Sequence, residues 1–297
     1  LIAQLIILLI TGLFMINKGY ILPGTFASMF LLSNNIRIAV RFFSDMTLCL
    51  HETEVITERI LEIFDIRREN EEGEDLIKNK SVLLDCLSIK ELFFKCDSEN
   101  ILNNISLDIK QGEKIAILGQ NDREKSALIK LICGFYDNYD GKISIYKNDV
   151  KNINKKSLRE QISIINKEAV MINGSIYENI VLNNKNIDID YVLDVVKKCR
   201  LEDLINSLEN GLDTIIDKDG VKLSQSDKQK ILIARAMVKK SPIVIIDEMD
   251  YNIEKDVLLS LNYLLKDKTA IIVNNVPTLL NLADKKYIMQ NGKLILN

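Results

Sequence analysis

The hydrophobic pattern changes character twice along the 297 residues. Leu1 to Ile16 is apolar apart from Gln4 and Thr11. Asn17-Lys18-Gly19-Tyr20 and Pro23-Gly24 break the run. A second, mostly apolar stretch follows from about Thr25 to Phe43, with Ser33-Asn34-Asn35 in its middle. A helix needs roughly 20 apolar residues to cross a bilayer. The first stretch is therefore expected as a shortened membrane helix and the second as a full-length one, antiparallel across the short turn. Arg37 and Arg41 lie near the far end of the second, where long side chains snorkel. The positive-inside rule places that end in the cytoplasm. A signal-peptide core and a buried helical hairpin are the alternatives. The former lacks a basic leader and a small-residue cleavage site.

From Ser44 to Arg67 an amphipathic pattern persists through Met46, Leu50, Val55, Ile60, Leu61 and Phe64, without Gly or Pro. The second helix is expected to run unbroken from about Gly24 to Ile66. RRENEEGED then forms a charged linker around Gly73. The chain opens on Leu1 inside an apolar run, which suggests a fragment or a reading frame cut at its start.

Beyond Lys80 short β-branched runs alternate with helical periodicity, the mark of an α/β domain. Strands are expected at Lys114–Leu118, Lys142–Tyr146, Ile162–Asn166, Pro242–Ile246 and Thr269–Val273. Helices are expected at Lys125–Cys133, Ser157–Glu160, Tyr191–Cys199, Asp227–Lys239 and Lys255–Lys266, with a helical insert between about Lys167 and Lys240. Gln290-Asn291-Gly292-Lys293 predicts a tight hairpin. The implied division is a helical part at 1–66, a linker at 67–80 and an α/β domain at 81–297. The strands ending near Leu118 and Ile246 are expected to be neighbours in a mainly parallel sheet, with both tips facing one cleft.

Net charge is -3, which gives no whole-chain case for binding nucleic acid. Five widely spaced cysteines form no C-x-x-C pair, and His51 is the only histidine, which argues against a zinc site. A reducing cytosolic setting fits the bulk of the chain.

Directly after KIAIL, residues Gly119 to Ser126 spell GQNDREKS. This is the frame of a phosphate-binding loop closed by Lys125 and Ser126. The glycine required before the lysine is replaced by Glu124, and Asp122 adds a second acid. Such a loop holds phosphate with backbone N–H groups and has no room for anions. At an effective dielectric near 20, one carboxylate about 5 Å from a phosphate charge costs roughly 3 kcal/mol. PIVIIDE, Pro242 to Glu248, describes a buried strand delivering Asp247 and Glu248 at its tip. In a phosphate-loop fold the Asp holds Mg²⁺ and the Glu polarises the attacking water.

Leu223 to Ala236, LSQSDKQKILIARA, lies shortly before that strand. This segment resembles the signature helix of ATP-binding cassette (ABC) proteins. The two helices before the cassette resemble the last two of a type IV exporter of that family. The resemblance covers essentially the whole chain. It implies a phosphate-loop NTPase cassette with a helical subdomain, preceded by two antiparallel transmembrane helices. It implies a dimer with a second half-transporter, identical or different, each ATP sandwiched between one subunit's loop and the other's signature. It also implies a multi-pass bacterial membrane protein with a cytoplasmic cassette and a transported substrate that the sequence does not name.

The chain departs from the family at most nucleotide contacts. Of the family's LSGGQ only Leu223 and Ser224 remain, followed by Gln225, Ser226 and Asp227. Ser226 and Asp227 also suit an ordinary helix start. Cys96 ends KELFFKC where the family stacks an aromatic on adenine, with Phe94 close by. Lys167 replaces a glutamine, Asn275 replaces a histidine, and IIDKDG offers Lys218 in place of a glutamate-bearing loop.

By resemblance, Gly119, Lys125 and Ser224 would bind the nucleotide, Ser126 would serve both nucleotide and Mg²⁺, Asp247 would hold Mg²⁺, and Glu248 would be catalytic. The alternative is that Lys125 pairs with Glu124, Asp122 or Asp247 in a site without nucleotide. The expected function is that of a degenerate exporter half acting through a competent partner, with ATP and Mg²⁺ bound weakly or not at all. An active ATP-hydrolysing subunit and a decayed fragment are the other two readings.

Overall fold

A computed structural model describes residues 2–65, 73–75, 85–96, 99–167, 170–182, 184, 187–216, 223–249 and 253–297. The expected linker lies largely outside the described residues, as do Glu168 and Lys218. The chain divides into two units, 1–68 and 69–297.

The first unit is a pair of helices, α1 (Ile2–Asn17) and α2 (Pro23–Asp65). Phe26 lies over Gly12, where a Cβ would collide with its ring. That contact spans the turn as an antiparallel pair requires. α2 is continuous over 43 residues, close to the Gly24–Ile66 expected, and Pro23 stands at its first position, where a missing N–H costs nothing. The expectation of membrane spans is not met. Among the described residues no helix is long and apolar enough to cross a membrane. α2 carries Ser33, Asn35, Arg37 and Arg41 within the stretch expected to span.

The second unit is the α/β domain. β1 (Asp85–Cys96), β2 (Glu99–Lys110), β4 (Tyr139–Ile145) and β5 (Asn148–Asp149) form an antiparallel sheet in the order β2-β1-β4-β5. The main sheet has the order β12-β11-β3-β10-β9-β6. Its members are β3 (Lys114–Leu118), β6 (Ile162–Asn166), β9 (Ile243–Asp247), β10 (Thr269–Val273), β11 (Lys285–Gln290) and β12 (Lys293–Leu296). All are parallel except β12, which returns antiparallel from β11. Helices α3 (Asp122–Ile132), α4 (Lys155–Glu160), α9 (Lys255–Leu265) and α10 (Pro277–Leu280) connect these strands. Between β6 and β9 lie α5 (Ile176–Val181), α6 (Ile189–Lys198), α7 (Glu202–Ser207) and α8 (Gln225–Lys239), with the small ladder β7 (Gly174–Ser175) and β8 (Ile215–Ile216).

The central strands are apolar through their middles because both faces are covered. Ile115, Ile117, Ile243, Ile245, Ile271 and Val273 join the core shared with α3 and the antiparallel sheet. Ala116, Val244, Ile246, Ala270 and Ile272 alternate to the other side, onto α8 and α9. β3 and β9 were expected as neighbours. β10 lies between them, paired with both. Their tips still stand level, since Ile117 pairs with Val273 and Val273 with Asp247.

Asn291 and Gly292 make the β11–β12 turn with φ of 51° and 72°, the left-handed pair that a two-residue hairpin demands. A Cβ on Gly292 would lie 2.8 Å from the Ile101 carbonyl oxygen. The Asn103 N–H donates to Gly292 O at 2.7 Å, which ties the hairpin to β2. Gly292→Ala should therefore destabilise the cassette by roughly 1–3 kcal/mol. Asn291→Gly, which only relieves a positive φ, should change it by less than about 1 kcal/mol. Urea unfolding midpoints of the two variants check this, and equal midpoints would contradict it.

Candidate functional site

The stretch from Gly119 to Ser126 does not form an open loop. α3 was expected to begin at Lys125 and begins at Asp122, almost one turn earlier. The chain itself explains the shift. Asn121 has extended backbone, and its side-chain oxygen accepts from the Arg123 N–H at 3.1 Å, a standard helix cap. Asp122 and Glu124 fall in the first turn, where acids suit the helix dipole. The acids at these positions are thus good helix starters.

Lys125 is 2% exposed. Its Nζ lies 2.8 Å from Asp122 Oδ1 and donates to the Gly119 carbonyl at 3.1 Å. Glu248 Oε1 is 3.5 Å away, close enough for Coulombic attraction but without a hydrogen bond. Lys125 holds the Asp122 carboxyl below its ordinary range through that short hydrogen bond. Gly119 is pinned further by Asn275. The Gly119 N–H donates to Asn275 Oδ1, and Asn275 Nδ2 donates to Gly119 O, both at 3.1 Å. Gly119 has no room for a side chain, because a Cβ would sit 2.8 Å from Met289 O. Sequence reasoning treated Asn275 only as a lost histidine and missed this amide clasp.

β9 brings Asp247 and Glu248 to the same place. Glu248 has φ of 49°, and its N–H donates to Val273 O at 3.0 Å. This left-handed turn at the strand tip is unusual for a non-glycine residue, and such strain gathers at functional sites. Burial, reinforced by the Glu248 charge beside it, pushes the Asp247 carboxyl up to about 6. Asp247 Oδ1 has no hydrogen-bond partner. Ser126 is half-buried in α3, next to Lys125. Gly119, Lys125, Ser126, Asp247 and Glu248 therefore meet at one end of the sheet.

Ser224 does not join them. It caps α8, accepting from the Asp227 N–H at 3.0 Å and donating to Asp227 Oδ2 at 2.6 Å. Ser226 donates to Glu254 Oε2 at 2.7 Å, and Lys230 lies 3.4 Å from Asp227 Oδ1. The helix start is satisfied by its own acids. Phe94 is 3% exposed and packs on Tyr136 at 5.1 Å between ring centroids, so it offers no free face for a base. Cys96 ends β1, half-buried. Lys167 is exposed beyond the β6 tip. His51 lies on α2, 3.5 Å from Glu54.

A parallel sheet with a strand–turn–helix at Lys125, two acids at a neighbouring tip and a capped helix at Ser224 is the frame of a cassette. The sequence profile of the ABC transporter family matches residues 102–250. The chain belongs to that family. An ATP-dependent lipid A-core flippase of Syntrophus aciditrophicus (strain SB) is 27% identical over 288 residues, 96% of this chain and 48% of the relative. The ATP-binding/permease protein YgaD of Bacillus subtilis (strain 168), named for multidrug export, is 32% identical over 206 residues, 68% of this chain and 36% of its own. The solved structure of a bacterial Atm1-family ABC exporter with ATP bound superposes with a TM-score of 0.69 at 25% identity, covering 82% of this chain and 43% of that one. The chain spans about half the length, or less, of the curated relatives it matches.

ATP-binding domains of ABC transporters use ATP and Mg²⁺. The residues of this ABC cassette do not fit that pair as they stand. The lysine is buried against its own carboxylates, the Gly119 N–H is taken by Asn275, and the loop backbone is already helical.

The raised Asp247 carboxyl has a consequence for stability. A carboxyl whose folded pKa lies near 6, above the usual ~3.9, favours the native state at low pH. That contribution is lost as pH rises from about 4 through about 6. Asp247→Asn stays neutral throughout. In chelator it should match the parent near pH 4 and exceed it above pH 7, by less than the roughly 3 kcal/mol of the full shift because the group is partly screened by solvent. Thermal unfolding at both pH values checks this, and a constant difference would contradict it.

Proposed function

We propose that this chain is a non-catalytic half of an ABC exporter, whose cassette docks a competent partner and transmits closure to the membrane domain without cleaving ATP itself. The observation that carries the reading is the Lys125 ammonium, enclosed at 2.8 Å by Asp122, at 3.1 Å by Gly119 O and at 3.5 Å by Glu248. A phosphate entering there must displace one carboxylate and face two others. The self-capped start of α8 supports the same reading on the signature side.

The similar proteins are named as exporters or flippases of bacteria, which supports a bacterial membrane location with the cassette in the cytoplasm. α1 and α2 expose large apolar side chains such as Ile10, Phe14, Leu32 and Phe43. We place them within a larger helical bundle of the membrane domain rather than as lone spans. The partner is a second half-transporter, and the transported substrate is left open. The competing reading, an active ATPase, draws on Asp247 and Glu248. Each keeps one carboxylate oxygen without a hydrogen bond at the strand tip, and Ser126 stands ready beside Lys125. There Lys125 would hold phosphate, Ser126 and Asp247 would hold Mg²⁺, and Glu248 would polarise water.

Equilibrium binding and turnover of Mg-ATP by the full chain separate the two. Binding weaker than ordinary cassettes by a factor on the order of a hundred, with negligible turnover, is expected. Turnover abolished by Glu248→Gln would establish the active reading instead. Asp122→Gly with Glu124→Gly should raise affinity, because it unwinds the extra helical turn and removes two acids. The gain should shrink at high salt if repulsion dominates and persist if backbone shape does. An unchanged affinity at both salts would refute this account of the loop.

A further inference from the structure

Residues 73–75 belong to the expected linker, yet they are paired with the loop that precedes α4. Glu74 and Ile153 form a parallel bridge. The Glu74 N–H donates to Asn152 O, and the Asn154 N–H donates to Glu74 O, both at 2.9 Å. We propose that this contact is a reversible strap that anchors the linker at α4. While it is closed, the tether from α2 ends at Gly73 instead of at Asp85, where β1 begins.

Gly73 is fitted to the contact. A Cβ there would lie 2.5 Å from Asn154 N and 2.6 Å from the Ile153 carbonyl carbon. Glycine is the residue that lets two backbones approach this closely. The receiving loop is itself tied down. Ile153 is buried, and Asn154 caps α4, its side-chain oxygen accepting from the Lys156 and Ser157 N–H groups at 3.0 and 3.2 Å. Lys155 is buried as well, its Nζ donating to Asp137 Oδ1 at 3.0 Å and to Val150 O at 3.1 Å. The strap therefore closes onto a fixed anchor.

The far end of α4 is held too. Lys239, the last residue of α8, donates to Arg159 O at 2.7 Å and to Ile162 O at 2.6 Å, and Ser241 donates to Glu160 O at 2.9 Å. Load on the linker reaches α4 and the end of α8 through a closed strap, and β1 through an open one. The strap is weak enough to open. Two backbone hydrogen bonds of ordinary net strength favour the closed form by roughly 5- to 150-fold. Opening also changes the reach of the tether. The eight Cα steps from Asp65, the end of α2, to Gly73 span at most about 29 Å, and the twenty steps to Asp85 about 72 Å. The strap is thus a length switch in the linker, and it stands whether or not the cassette cleaves ATP.

The test follows hydrogen exchange of single amides in the full chain by NMR, with the Glu74 and Asn154 amides as reporters. Both should be protected by roughly 5- to 150-fold. Gly73→Val should abolish that protection at both together, while the Ile243 amide, bonded to Gln161 O inside the cassette, stays protected. Glu74→Pro removes the donor to Asn152 O and is the second opening variant if Gly73→Val fails to fold. Asp75→Ala, beside the bridge, should leave both amides protected. Reach is read by double electron–electron resonance between spin labels at Glu62→Cys and Lys156→Cys, with the exposed Cys49 and half-buried Cys96 changed to serine. Gly73→Val should move the long edge of the distance distribution outward. Unprotected Glu74 and Asn154 amides in the parent would overturn the strap, as would protection that survives in folded Gly73→Val. Protection lost in Asp75→Ala would overturn the backbone clasp by assigning the contact to that side chain. Lost protection with an unchanged distance distribution would overturn the length switch.

Discussion

The buried ammonium of Lys125 sets the terms for everything around it. A lysine at 2% exposure needs a counter-charge and hydrogen-bond acceptors, because an isolated buried cation is far too costly to keep. In a nucleotide-binding loop the phosphates meet that need. Here the chain meets it from within, with Asp122 at 2.8 Å, the Gly119 carbonyl at 3.1 Å and Glu248 close by. The positions of Gly119, α3 and the turn at Glu248 follow from holding those groups near one nitrogen. The arrangement also sets the charge balance. Asp122, Asp247 and Glu248 face one lysine; burial, and after it the Glu248 charge, raise the Asp247 carboxyl.

Internal carboxylates also engage the start of α8. Its N-terminus is satisfied by Ser224 and Asp227, and Ser226 is engaged by Glu254. Helix N-termini attract anions whatever their source. A side chain one turn away has an effective concentration that a free nucleotide must overcome. Both helix starts thus find partners within the chain. The pairings are local in sequence, i to i+3 at Asp122–Lys125 and at Ser224–Asp227, so neither disturbs the sheet behind it.

Most of the fold was legible because its signals are strong and redundant. β3, β6 and β10 occupy the spans that hydrophobic pattern alone assigned, and the Asn-Gly turn fixed the last hairpin. The long α2 followed from the absence of Gly and Pro. What escaped has physical reasons. Sheet order is not a local property, so β10 between β3 and β9 could not be read from either strand. The early start of α3 hinges on Asn121, whose capping role is visible only if one abandons the loop that GQNDREKS imitates. The membrane expectation leaned on apolar content and discounted Ser33, Asn35 and the charges that follow. At the site, residue types were legible and pairings were not. That Lys125 lies among acids was foreseeable, but that Asn275 would clasp Gly119 across 156 residues was not.

The contrast between the sheet and the site has one cause. The strand tips are placed by apolar residues packed on both faces, Ile115, Ile117, Ile243, Ile245 and Ile271 on one and Ala116, Val244, Ile246, Ala270 and Ile272 on the other. None of these touches a phosphate in any reading of the chain. The geometry of the tips is therefore held by interactions that do not depend on a nucleotide. Groups at the tips are free to change as long as each finds a partner, and Lys125, Gly119, Ser224 and Ser226 all have. The unpartnered oxygens of Glu124, Asp247 and Glu248 are the exceptions. Those of Asp247 and Glu248 lie at the tip of β9, and that of Glu124 lies in the first turn of α3. A sheet held by apolar packing on both faces keeps its shape whatever the groups at its tips bind.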